Sequence, residues 1–293
     1  MSDEPEGLRR WASCVWHDWD WTLAVHHHGA FHDVLVLRCG PVARIATGAQ
    51  HGQRVAREAS VLAILAALDL PVTVPRLVAE PVTHAGHSGV LTSRVPGRTI
   101  TVAAWPDVRD QLLAALDALR RSATGPEPLP EPRQWCGGKA WPELVSAQLA
   151  PRLPPRAGAA ATQVVDDVLE VERDVAPGLV HGDFGLHNVM WRGMQISGLI
   201  DFDHACSGDP AIDIAPLVGI FGAQHVGPDV EPEVLQRAMY HRASLSLQVA
   251  AAAELAGKHS LRDHALGNFA RRFSEGTLHD PGGRRPRMPH RFP

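Results

Sequence analysis

Asp183, Asn188, Asp201 and Asp203 are the residues of this chain best suited to chemistry. They stand in two short strings, His181-Gly182-Asp183-(x)4-Asn188 and Asp201-Phe202-Asp203. Leu179-Val180 precedes the first string and Val189-Met190-Trp191 follows it; a turn at Arg192-Gly193 leads to Gly198-Leu199-Ile200 and the second. Apolar runs this short, bounded by glycine, read as strands with the polar residues at strand–loop junctions. A hairpin of this kind brings Asp183, Asn188 and Asp201 together, although the last two lie thirteen positions apart. The chemistry such a set suits is phosphoryl transfer. An acceptor hydroxyl needs a carboxylate to orient it and take its proton, and the phosphates need Mg2+ held by hard oxygen ligands, a carboxylate and an amide. On this reading Asp183 is the base, and Asn188 and Asp201 are metal ligands. Asp203 is either a second metal contact or a plain loop acid, and His181 buttresses the loop. A structural hairpin with solvated ends would account for any single Asp–Asn pair, but it accounts poorly for the whole ordered set.

Composition narrows the class. The chain has 293 residues, 45% hydrophobic and 20% charged, which describes a globular protein of one large or two ordinary domains. A net charge of −4 gives no reason to expect a nucleic-acid partner. The start, Met1-Ser2-Asp3-Glu4-Pro5-Glu6-Gly7, is acidic and has no apolar core, so no secretory signal is expected. No apolar run approaches the roughly 20 residues of a membrane span. Cys14, Cys39, Cys136 and Cys206 are scattered without a Cys-x-x-Cys pair, so neither zinc nor a disulfide framework is expected. These features together suggest a cytoplasmic protein. Lysine occurs only at Lys139 and Lys258, and arginine supplies the other cations.

The elements that must position the strings follow from periodicity. Residues 8–21, with Trp11, Trp16, Trp19 and Trp21, read as a short amphipathic helix packing its indoles on the sheet that follows. The interleaved charges Asp18 and Asp20 argue against nucleic-acid stacking. Thr22–Thr47 reads as antiparallel strands with a turn at Cys39-Gly40-Pro41. Within it His26 and His28 share a face while His27 points away. No matching cysteine or acidic partner is evident for these histidines and His32, so no metal site is expected there. Val55–Leu70 is the clearest helix, ended by Pro71. Val72–Val95 returns to strands, and Asp107–Arg121 is a second helix. Residues 124–132 are a loop by composition. Further helices are expected at 141–149, 160–175, 232–256 and 260–273. The basic, proline-rich stretch 281–293 reads as disordered or loosely docked. Trp135 and Trp141, around Gly137-Gly138, could line an acceptor pocket, although ordinary packing explains them more simply.

The two strings resemble the catalytic loop and metal-binding motif of protein kinases, with His-Gly-Asp for His-Arg-Asp and Asp-Phe-Asp for Asp-Phe-Gly. In that variant form they resemble the aminoglycoside phosphotransferase family of antibiotic and small-molecule kinases. Gly208-Asp209-Pro210-(x)2-Asp213-(x)-Ala215 is a third matching motif. The resemblance implies an α+β, bilobal, protein-kinase-like fold. Residues 1–96 would form a small N-terminal lobe of antiparallel sheet with one main helix, which binds nucleotide. Residues 97–280 would form a larger, mostly helical catalytic and acceptor-binding lobe, and 281–293 a tail. It implies ATP or GTP and Mg2+ as cofactors. It makes Arg44 the strand cation that touches the nucleotide phosphates, and Glu58 its partner, with Arg54 and Arg57 as competitors for that carboxylate. Val90–Gly97 resembles the hinge whose backbone meets the purine, at Ser93 and Val95. Asp209 would cap the following helix, and Asp213 would hold the backbone of the catalytic loop. The loop at 26–33 departs from the family in holding one glycine, Gly29, where a glycine-rich run is usual.

The implied function is transfer of a γ-phosphate to a small-molecule hydroxyl. The expected acceptor is an antibiotic: an aminoglycoside, a tuberactinomycin-type peptide such as viomycin, or a macrolide. Alternatives are a metabolite kinase for homoserine, choline or a sugar, and a non-catalytic nucleotide-binding regulator. From Asp201 to Glu233 there are seven acids and no lysine or arginine. If Asp229, Glu231 and Glu233 line the acceptor cleft, they favour a cationic acceptor.

Overall fold

A computed structural model of the chain describes residues 5–122 and 129–287. Most of the loop expected at 124–132, and the last six residues, lie outside that range.

Helix α1 (Pro5–Val15) is followed by strands β1 (Val25–His28), β2 (His32–Val36) and β3 (Val42–Ala46), helix α2 (His51–Ala66), and strands β4 (Val82–His84) and β5 (His87–Thr92). The strands make one antiparallel sheet in the order β1-β2-β3-β5-β4. Period-two alternation divides its faces. Ile45 and Leu91 pack with Trp11, Trp16 and Trp21, while Ala46 and Val90 pack with Val55 and Ala59 of α2. The helix expected at 8–21 ends at Val15; Trp21 opens a separate 3-10 turn, and its indole N–H donates to Trp16 O at 2.9 Å. Helix α2 runs four residues ahead of the stretch expected from periodicity. Its first turn is polar and carries no apolar signal, and Pro71 disfavours helical geometry at Leu70.

The larger part begins with α3 (Trp105–Arg121) and α4 (Trp141–Leu144), which continues as a π turn over Val145–Leu149. Helix α5 (Pro155–Glu172) leads to β6 (Gly178–Val180), β7 (Val189–Arg192), β8 (Gln195–Leu199) and β9 (Cys206–Gly208). Helices α6 (Ala211–Phe221), α7 (Ala223–Val226), α8 (Pro232–Leu255) and α9 (His259–Ser274) complete it. One apolar core joins α3, α6 and the strand ends to the last turn of α2 through Leu112, Phe184, Phe202, Leu217 and Leu65; a second lies between α5, α8 and α9. Trp141 is wholly buried in the second core, so its role is packing.

The polar strings sit on two ribbons, not one. β7 pairs with β8, but β6 pairs with β9. His181–Asp183 therefore follow β6, Asn188 precedes β7, Asp201 follows β8, and Asp203 precedes β9. Two hydrogen-bonded connections lock this arrangement to its surroundings. Asp213, buried in the first turn of α6, accepts the backbone N–H groups of His181 and Gly182 at 2.7 and 2.8 Å. The segment after β5 is bonded to the β7–β8 hairpin: Arg98 N–H donates to Trp191 O at 3.0 Å, and Trp191 N–H donates to Arg98 O at 2.8 Å. Ser197 Oγ donates to Pro96 O at 2.5 Å. Between them Gly97 has φ +129°, and a Cβ there would meet Trp191 O at 2.8 Å. Of the stretch 281–293, expected to be disordered or loosely docked, residues 281–287 are described, and Arg287 is bonded to α8. Arg287 N–H donates to Gln236 Oε1 at 2.6 Å, and Tyr240 Oη donates to Arg287 O at 2.8 Å.

Gly97→Ala adds a Cβ both to a strained backbone and to an occupied space, and should lower unfolding free energy in urea by about 2 kcal/mol or more. Asp213→Ala leaves two buried N–H donors without an acceptor, each worth about 1–3 kcal/mol. Asp213→Asn keeps one acceptor and should fall between Asp213→Ala and the native chain in the same measurement.

Candidate active site

The polar residues converge where the four strand ends meet. Gly182, with φ +85°, packs so tightly on the His204 backbone that a Cβ has no room, and this close approach turns Asp183 outward. The Asp183 side chain is 38% exposed. Its Oδ2 accepts from Asn188 Nδ2 at 3.0 Å and lies 3.3 Å from His187 Nε2. Asn188 Nδ2 also donates to Asp183 O at 2.9 Å, so the amide nitrogen faces Asp183 and the amide oxygen is left for another partner. Burial alone would push the Asp183 carboxyl up; the hydrogen bond from His187 and the surrounding histidines together outweigh it, and the net shift is downward. Asp183 is therefore ionised at neutral pH. His187 is raised by the same contact.

His181 is wholly buried and does not reach the Asp183 carboxylate. Its Nε2 donates to Ile200 O at 2.8 Å and its Nδ1 accepts from Asp183 N–H at 3.3 Å, which fixes a neutral tautomer. It positions the loop.

Asp201 has φ +67°, a left-handed conformation uncommon for a residue with a side chain. Its Oδ1 accepts from Arg44 Nη2 at 2.6 Å, and Arg44 Nε donates to Glu58 Oε1 at 2.5 Å. Glu58 is thus taken by Arg44, and neither Arg54 nor Arg57 competes for it. His32 Nε2 lies 3.3 Å from the second Glu58 oxygen. Burial opposes the charges of Arg44, Glu58 and Asp201, but their mutual attraction outweighs it, so the cation is raised and both acids are lowered. Asp203 goes the other way. Burial and the adjacent Asp201 charge hold it well above the ordinary carboxylate range. Asn188, Asp201 and Asp203 are a hard-oxygen set of the kind Mg2+ takes.

At the other end of the cleft, Ser93 N–H donates to Arg76 O at 2.7 Å. Among the described residues, Ser93 O and both backbone polar groups of Val95 make no hydrogen bond with the protein.

Several features lay beyond sequence reasoning. His204 stacks on Trp135, with centroids 3.7 Å apart, and burial depresses its pKa to about 4, so it is neutral. No periodicity marks it. His26 and His28 do share a face, and both ring nitrogens lie 2.8 Å from Asp33 Oδ1, the acidic partner that the sequence pattern did not reveal. Among the described residues, no three His, Cys, Asp or Glu side chains form a group fit to hold a metal ion. The loop between β1 and β2 is pinned by Lys258, whose Nζ donates to Ala30 O at 2.7 Å and to Thr47 Oγ1 at 2.6 Å. Asp229, expected to favour a cationic acceptor, is spent on α3: it accepts from Trp105 Nε1 at 2.8 Å and Arg109 Nη1 at 3.2 Å.

Comparison with known proteins agrees with this architecture. The chain is 27% identical over 226 residues to viomycin phosphotransferase of Streptomyces vinaceus, which covers 70% of this chain and 75% of that protein. It is 38% identical to homoserine kinase of Pseudomonas aeruginosa (strain LESB58), but over 81 residues only, about a quarter of either chain. In three dimensions it is similar to aminoglycoside 2'-phosphotransferase-IIIa, solved as a GDP complex, with a TM-score of 0.71, 16% identity, and coverage of 94% of this chain and 100% of that one. It is also similar to macrolide 2'-phosphotransferase type I, with a TM-score of 0.63, 20% identity, and coverage of 92% and 98%. The profile of the phosphotransferase enzyme family matches residues 38–250, and the chain belongs to that family.

Proposed function

We propose that this phosphotransferase moves the γ-phosphate of ATP or GTP to a hydroxyl of a small-molecule antibiotic, of the aminoglycoside, viomycin or macrolide kind. The observation that carries the reading is the ionised, half-exposed Asp183 carboxylate, held by Asn188 beside the Arg44–Asp201 pair. Asp183 orients the acceptor hydroxyl and takes its proton as the new O–P bond forms. Arg44, fixed in direction by Glu58, meets the phosphates as a planar fork and not as a point charge. Ser93 O and the Val95 backbone meet the purine. Asn188 and Asp201 would hold Mg2+, with Asp203 as an optional second contact, and the ion would offset charge on the phosphate oxygens. Asp183 supplies the base, His181 and Asp213 hold its loop, and Gly182 permits the approach. The partial likeness to homoserine kinase supports a second reading, a metabolite alcohol as acceptor. With Asp229 engaged by Arg109, the acidic stretch no longer argues for a strongly cationic acceptor.

Mass detection of a single added phosphoryl group, across a panel of aminoglycosides, viomycin, macrolides and homoserine, tests the acceptor class; failure of every antibiotic alongside turnover of homoserine would reverse it. Asp183→Ala should lower kcat by about 100-fold to 10,000-fold while nucleotide binding by calorimetry survives. Near-normal turnover in that variant would remove Asp183 as the base. Because His187 is raised by its contact with Asp183, protonation at lower pH ties up the carboxylate. The ratio kcat/KM should therefore climb as pH rises through the His187 pKa, and His187→Gln should flatten that acid limb.

A further inference from the structure

Beside the cleft, a separate cavity of about 250 Å3 opens between the first turns of α2 and the segment carrying Trp135. Gln50, Gln53, Arg54, Arg57 and Gln134 line it together with Trp135. Its charge is not balanced. Arg54 is 6% exposed, and its buried Nε and Nη1 make no hydrogen bond. The buried Nε of Arg57 is equally unpartnered. The Arg54 guanidinium lies over the Phe31 ring, 4.4 Å from its centroid, which supports the cation but satisfies none of its N–H donors. Burial holds both guanidinium groups below their ordinary pKa, and the charges of Asp203 and Glu58, which make no hydrogen bond with them, offset it only in part.

Unpaired buried charge is costly, and a buried donor left without an acceptor adds to the cost. Two arginines one turn apart on one helix should therefore have a partner that is not part of the chain. The surroundings suit an anion. Gln50 begins α2 without a side-chain cap, so the positive end of the helix dipole lies at the same place. Three glutamine amides supply neutral donors. Guanidinium forks match tetrahedral oxyanions in geometry. We propose that this cavity is a second ligand site, distinct from the nucleotide cleft, which binds a phosphate-class oxyanion through Arg54 and Arg57. The bound anion bridges α2 to the Trp135 segment. Since α2 also carries Glu58, occupancy of the cavity holds the helix that directs Arg44.

The probe is inorganic phosphate added to the full chain at fixed ionic strength, with chloride as the reference. Glycerol 3-phosphate is run in parallel, to distinguish a free ion from a phosphoryl group carried on an organic molecule. Phosphate, its ester, or both should raise Tm by on the order of 5 °C near saturation. Arg54→Met should abolish the rise, and in chloride it should melt no lower than the native chain, because an uncompensated buried charge has gone. Arg57→Gln, nearer the surface, should weaken the response severalfold without changing the fold by circular dichroism. No response to either compound, or a rise that Arg54→Met retains in full, overturns the proposal. An Arg54→Met protein that melts well below the native chain in chloride also overturns it, since that makes the stacking on Phe31 the whole role of Arg54.

Discussion

One buried cation ties together parts of the chain that have no other reason to meet. Arg44 on β3 holds Glu58 on α2 with one edge of its guanidinium and Asp201, 157 residues further on, with the other. Its planar fork offers each carboxylate a separate N–H donor in fixed directions. The pairing adds little net stability, because burial taxes every partner. Its effect is on geometry: with either acid removed, a charge would remain in a place that cannot solvate it. The sheet, the helix and the end of β8 are thus required to arrive together. The same requirement aligns the residues proposed to meet nucleotide.

The neighbouring acids show how a few ångströms separate roles. Asp201 and Asp203 are two residues apart, yet the Arg44 charge draws Asp201 down while burial and the Asp201 charge push Asp203 up. Asp183 stands outside that pair, with histidine and amide neighbours, and stays ionised. Three acids of one cluster are therefore distinguished by what each touches.

Much of this was legible in the sequence, and the limits were physical. The strings at 181–188 and 201–203 carry their own spacing, and the strand ends do bring them together. Pairing of β6 with β9, and not with the hairpin, was hidden because three-residue strands contain no register signal. The start of α2 was missed because its first turn is polar on all sides. His204 and Asp229 found partners from distant elements, and single side chains announce no such partner in advance; Asp33 meets His26 and His28 only through the register of β1 on β2. Arg54 and Arg57 looked like rivals for Glu58; in space Arg44 makes the hydrogen bond to it, and the other two line a neighbouring cavity.

The hydrogen bonds that join Pro96 and Arg98 to the hairpin have a consequence for distance. Residues 96–98 are fastened to β7 and β8, whose far ends carry Asn188 and Asp201. The segment proposed to grip the base and the residues proposed to flank the transferred group belong to one rigid rule. Whatever flexing occurs between the sheet and the helices, that span keeps its length. Under the proposed function a nucleotide would be gauged from end to end, and one phosphate too few would leave the Asp183 carboxylate facing nothing.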